Sequence, residues 1–78
     1  MTASVAAQLE DALRDLAGAG AHPTSITIDY GSAAPTVDTK AWIERATRSL
    51  VFAQAEARAA DGALVASASG VFRKVTSA

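Results

Sequence analysis

Arg48-Ser49-Leu50-Val51-Phe52-Ala53-Gln54-Ala55-Glu56-Ala57-Arg58 is followed by Ala59-Ala60-Asp61-Gly62 and then by Ala63-Leu64-Val65-Ala66-Ser67-Ala68-Ser69-Gly70-Val71-Phe72-Arg73. Two alternating runs around a turn read as a long antiparallel hairpin. Strand side chains alternate, so Leu50, Phe52, Gln54, Glu56 and Arg58 share one face while Val51, Ala53, Ala55 and Ala57 share the other. One face is small and apolar, and the opposite face turns polar along its length. Asp61-Gly62 suits the tight connection, because glycine tolerates positive φ and an aspartate side chain can bond nearby backbone amides.

The size of the chain limits what that hairpin can be packed into. Seventy-eight residues make one small domain, spanning 1–78, with a high ratio of surface to volume. Half of the residues are apolar, yet twenty of those are Ala, which leaves a thin set of large side chains to form a core. With no Cys, neither disulfides nor thiolate metal sites can supplement that core. Self-association, as a dimer or tetramer, is therefore the expected source of the missing burial. A net charge of -1, with both signs mixed along the chain, offers no footprint for a nucleic-acid backbone. No apolar run approaches the roughly 20 residues of a membrane helix, and no signal-peptide pattern opens the chain, so a soluble cytoplasmic protein is expected.

Upstream of the hairpin, Val5, Leu9, Leu13 and Leu16 make one stripe on a helix predicted over about 4–17. Thr2 or Ser4 can cap its start, Gly18 and Gly20 can end it, and Glu10 with Arg14 is a favourable i,i+4 pair. Strands are predicted over about 24–30, 37–47, 49–59 and 63–75. In the first, Ile26 and Ile28 share a face. In the second, Val37, Thr39, Ala41 and Ile43 lie opposite Asp38, Lys40, Trp42 and Glu44. The expected class is α+β, one helix on a four-stranded antiparallel sheet. Short connections make a simple meander the economical strand order. The alanines at 53, 55, 57, 66 and 68 are then the floor beneath the helix.

The stretch from Thr24 to Val75 resembles the second half of a hotdog-fold acyl-CoA thioesterase. The resemblance rests on Ile26-Thr27-Ile28-Asp29-Tyr30, Arg48 to Glu56, Asp61-Gly62-Ala63-Leu64-Val65-Ala66 and Gly70-Val71-Phe72. It is similar to the phenylacetyl-CoA and hydroxybenzoyl-CoA thioesterase group, and it covers about two thirds of the chain well. These motifs belong to the fold rather than to catalysis. The resemblance implies a helix held in a curved antiparallel sheet, with dimers that join two sheets edge to edge. It implies sites built between protomers, an acyl-CoA ligand and no cofactor or metal. Members commonly carry His-Gly-Gly before the helix, then a Leu, one residue and an acid that acts as base or nucleophile on the thioester.

On that pattern Leu9-Glu10-Asp11-Ala12 matches the acid segment, which makes Asp11 the candidate acid and Glu10 the reserve. Thr2-Ala3-Ser4 stands where His-Gly-Gly would be, and no residues remain for the strand that usually precedes the helix. The domain is accordingly expected to be a shortened hotdog. Arg45 and Arg48 flank the turn into the third strand, where relatives often place cations that meet coenzyme A phosphates. Two readings follow: a thioesterase-like protein that hydrolyses or binds an acyl thioester at a subunit interface, or a non-catalytic acyl-binding or assembly module. The loss of His-Gly-Gly favours the second reading and the retained Asp11 the first.

Each residue also has an ordinary alternative. Asp11 lies nearly opposite the apolar stripe, as a solvated carboxylate beside Arg14 would. Arg45 and Arg48 can be solvated cations at a hairpin end. His22, the single histidine, sits in a connection without the companions that a metal or triad needs. Trp42 suits packing or a subunit contact better than ligand binding. No serine has the nucleophile-elbow setting, and Gly18-Ala19-Gly20 follows a helix instead of opening one.

Overall fold

Helix α1 spans Val5–Ala17 and is capped at both ends by its own sequence. The computed structural model describes residues 4–74, so Thr2 and Ala3, and Val75 at the expected end of the last strand, lie outside the described residues. Ser4 is the N-cap, its hydroxyl oxygen accepting the Ala7 amide at 3.1 Å. At the other end Gly18 adopts φ 93° and donates its amide to the Arg14 carbonyl at 3.0 Å, a left-handed turn that a side chain would strain. The helix presents Leu9 and Leu13, both fully buried, while Val5 is half-buried and Leu16 lies at the exposed margin of the stripe.

Four antiparallel strands follow: β1 Ala21–Tyr30, β2 Asp38–Ala46, β3 Leu50–Arg58 and β4 Leu64–Lys74. The α+β class, one helix on a four-stranded antiparallel sheet, is thus observed. The strand order is β1-β4-β3-β2, which corrects the simple meander expected from short connections. Only β2, β3 and β4 follow one another across the sheet, and β1 closes the far edge beside β4. The connection 31–37 makes this crossing, held over the end of β4 by the Gly31 and Ser32 amides, which both donate to the Val65 carbonyl at 2.8 and 3.0 Å. Packing explains the arrangement. It puts the two small-residue strands in the middle of the sheet, with the helix lying mainly across β2 and β3 and touching all four strands, and sets Ile26 and Ile28 of β1 opposite Gly70 and Ala68.

The β3–β4 hairpin pairs Val51 with Phe72, Ala53 with Gly70, Ala55 with Ala68 and Ala57 with Ala66, and all eight residues are buried. Strand alternation thus works as read: the small set faces the helix and the polar set faces outward. Gly62 (φ 90°) and the Asp61 carboxylate, which accepts the Ala63 amide at 3.0 Å, close the turn. Strand β1 begins three residues before its expected start and carries Pro23 inside it, a placement that an edge strand tolerates because one side needs no ladder bonds.

Gly70 is the tightest point. A β-carbon there would meet Phe72 Cε1 at 2.9 Å and Leu13 Cδ1 at 3.4 Å, and both side chains are fully buried. Gly70→Ala is therefore expected to destabilise the fold by about 1–3 kcal/mol, despite the better strand propensity of alanine. Urea unfolding checks this through a lowered midpoint, and an unchanged midpoint would mean that the helix is not seated on the sheet as described.

Candidate functional site

Two surfaces carry the chemistry. The first is the polar face of α1. Glu10, half-buried, accepts from Arg14 Nε at 2.8 Å, the i,i+4 pair that the sequence suggested. Asp11 is exposed one residue on, and among the described residues it makes no hydrogen bond or ion pair. The reserve acid is thus held in a local pair, while the leading candidate is unengaged.

The second surface is the outward face of the sheet, where strand register defines three rows. Ser25, Val71, Phe52 and Arg45 form one row, Thr27, Ser69, Gln54 and Trp42 the next, and Asp29, Ser67, Glu56 and Lys40 the third. A β-bulge between Ile43 and Arg45 in β2 leaves Glu44 unpaired and swings Arg45 opposite Phe52. The Trp42 indole N–H donates to Glu44 Oε2 at 2.9 Å, so Trp42 and Glu44 share this face as expected. Together Glu44, Arg45, Phe52, Gln54, Ser69 and Val71 line an open depression of about 360 Å³. Its floor is apolar, from Phe52 and Val71, and its rim is polar, from Glu44, Arg45, Gln54 and Ser69.

Arg48 is exposed in the β2–β3 turn, which Thr47 closes: its hydroxyl accepts the Leu50 amide at 3.0 Å. Arg45 and Arg48 are therefore near one another in sequence at one end of the sheet, but only Arg45 borders the depression. Asp11 lines neither this depression nor those at the helix end and at the hairpin turn, and it lies on the helix side of the sheet whereas Arg45 lies on the outward side. The candidate acid and Arg45 thus stand on opposite sides of the sheet. His22 is exposed and shares a depression of about 400 Å³ with Arg14, Asp15 and Gly18 at the end of the helix. No group of three or more His, Asp or Glu residues able to hold a metal occurs among the described residues. Among the same residues no helix is long and apolar enough to cross a membrane.

The hairpin end carries the most structured charges. Arg58 donates from Nε to Glu56 Oε1 at 3.0 Å and from Nη2 to Oε2 at 3.2 Å, and its Nη1 reaches the Gly62 carbonyl at 2.9 Å. The Arg58 hydrogen bond, with the charges of Arg58 and Lys40, holds the Glu56 carboxyl below its ordinary value against a smaller opposing effect of burial. The same pair raises Arg58. This cluster steadies the turn rather than forming a reaction site.

The depression itself was not foreseen. Alternation placed Phe52 and Gln54 outward, but only the pairing of β1 with β4 and the bulge at Glu44 reveal which neighbours complete it. No protein-family model matches the chain, and no curated protein or solved structure shows significant similarity to it.

Because the folded carboxyl of Glu56 is lowered, the pair stabilises the native state above the ordinary carboxylate range and loses that effect as pH falls through the folded value. In Arg58→Gln the Glu56 titration followed by NMR is expected to move up toward the usual carboxylate range. An unmoved titration would show that the ion pair does not persist in solution.

Proposed function

We propose that this chain is a hotdog-like module of the cytoplasm that binds an acyl thioester, acyl-CoA being the ligand class, in a cleft completed by a second copy. The observation that carries the reading is the separation of Asp11 from Arg45 by the thickness of the sheet layer. If these groups serve one ligand, they must come from different protomers. The small size of the core supports the same conclusion, since the ten buried apolar residues include five alanines. In this reading Arg45 and Arg48 meet the phosphates of coenzyme A, and the acyl chain lies against apolar surface between copies.

Hydrolysis is a second reading, favoured by the unengaged carboxylate of Asp11. Asp11 would remove a proton from a water molecule as its oxygen attacks the thioester carbonyl carbon. The C–S bond would then break, and the thiolate would take up the proton as the carboxylic acid forms. Such chemistry also needs fixed donors at the developing oxyanion, worth about 100- to 1,000-fold in rate. Thr2 and Ala3, where the resemblance locates part of that feature, lie outside the described residues. Binding asks only for cationic and apolar surface, which Arg45 and the depression beside it offer.

Titration with short, medium and aryl acyl-CoA esters, read by calorimetry and by thiol release, separates the two. Saturable binding that weakens in Arg45→Ala and Arg48→Ala, with release no faster than in Asp11→Asn, is the expected result. Release falling about 100- to 10,000-fold in Asp11→Asn would establish hydrolysis instead. Absence of binding to every ester would remove both readings.

A further inference from the structure

Successive side chains of a regular strand point to opposite faces, yet the bulge in β2 leaves Glu44 and Arg45 both on the outward face, where both line the depression beside Phe52. An acid and a cation are thus set side by side, and they form no ion pair with one another. Elsewhere such neighbours neutralise each other, as Glu10 does with Arg14 and Glu56 with Arg58. Glu44 is turned instead to the Trp42 indole, which occupies its Oε2 and leaves Oε1 open. The Arg45 guanidinium has no hydrogen bond or ion pair among the described residues. Across the depression the Gln54 amide and the Ser69 hydroxyl, which strand register sets opposite one another, are unpartnered among the same residues as well.

Two unlike charges held apart at one rim, above a floor of Phe52 and Val71, define the ligand they suit. The geometry points to a free aromatic α-amino acid, with its carboxylate on the Arg45 guanidinium, its ammonium on Glu44 and its ring on Phe52 and Val71. An α-amino acid carries its two charges on one carbon, and this rim carries the complementary charges on consecutive residues. The guanidinium fork meets a carboxylate through two parallel hydrogen bonds. The open Oε1 of Glu44 accepts from an ammonium, which has three donors and no acceptor. Aromatic rings pack on one another offset or edge to face, a contact that the half-buried Phe52 ring offers. At the far rim Gln54 and Ser69 can meet a phenolic hydroxyl, so tyrosine suits the site as well as phenylalanine. The volume of about 360 Å³ lies within the range of about 300–1,000 Å³ usual for small-ligand sites.

Ligands with a single charge fit worse for the same reason. An aryl carboxylate brings its negative charge against Glu44, and an aryl amine brings its positive charge against Arg45; like charges at close range oppose each other. The rim therefore selects for both charges at once. The site is complete on one protomer and needs no thioester, so it goes beyond the proposed function. It shares Arg45 with that function, and a bound amino acid would compete with coenzyme A phosphates for the same guanidinium.

Backbone amide and indole resonances of the folded chain test the inference. L-phenylalanine is expected to shift the amides of Phe52, Gln54, Ser69 and Val71 and the Trp42 indole N–H saturably. The probes 3-phenylpropionate and phenethylamine, which each lack one of the two charges, are expected to bind about tenfold or more weakly. Glu44→Gln keeps an acceptor for the indole but removes the charge, so it is expected to erase the preference for phenylalanine over 3-phenylpropionate. Arg45→Gln is expected to erase the preference over phenethylamine. Both positions are exposed, and resonances away from the depression check that each variant keeps the fold. No saturable shift, saturation at another surface, or analogues that bind as well as the amino acid would overturn the inference. Acyl-CoA binding without amino-acid binding would contradict this inference and leave the proposed function standing, and the reverse result would contradict the proposed function alone.

Discussion

Everything in this fold depends on how closely one helix can approach one sheet. Leu9 and Leu13 are completely buried because the strands beneath them offer Ala53, Ala55, Ala57, Ala66, Ala68 and Gly70. Larger residues there would lift the helix and open voids, and smaller ones on the helix would leave the floor uncovered. Phe72 supplies the bulk that the alanines lack, its ring edge reaching over Gly70. The chain thus builds a core from complementary shapes rather than from many large side chains, and that economy leaves it short of buried area.

The shortage is what motivates the proposed assembly. A two-layer protomer has an outward sheet face and two sheet edges, and its alanine-rich interior stabilises it only modestly. The outward face remains soluble through Asp29, Lys40, Gln54, Glu56, Ser67 and Ser69, leaving Phe52, Val71 and Trp42 as a half-buried apolar strip among them. Both edges are irregular: β1 is interrupted at Pro23 and by a register shift before Ser25, and β2 by the bulge at Glu44. Function, on the proposal made above, belongs to the contact between copies.

Much of this was legible in the residues and some was not. Alternation in Leu50 to Arg58 assigned faces correctly, because a strand buried on one side has only one register that hides its alanines. The caps at Ser4 and Gly18 were legible for the same local reason, since each side chain or its absence acts on backbone next to it. Strand order was not, because the crossing of 31–37 depends on packing between segments distant in sequence. The start of β1 was not legible for a related reason: a strand runs through Pro23 comfortably at an edge, and which strand is the edge depends on the same packing. At the candidate site the exposure of Asp11 and the pairing of Glu10 with Arg14 followed from helical spacing. Which side of the sheet Arg45 occupies did not, because the bulge at Glu44 decides it.

The most direct measurement of the central claim is native-state hydrogen exchange, residue by residue, across α1, β3 and β4. If Leu9 and Leu13 are locked onto the alanine floor, amides in the middle of α1 will exchange with the same opening free energy as those of Ala55 and Ala68, as one cooperative unit. Helix amides that exchange through low-energy local opening, while β3 and β4 stay protected, would contradict it.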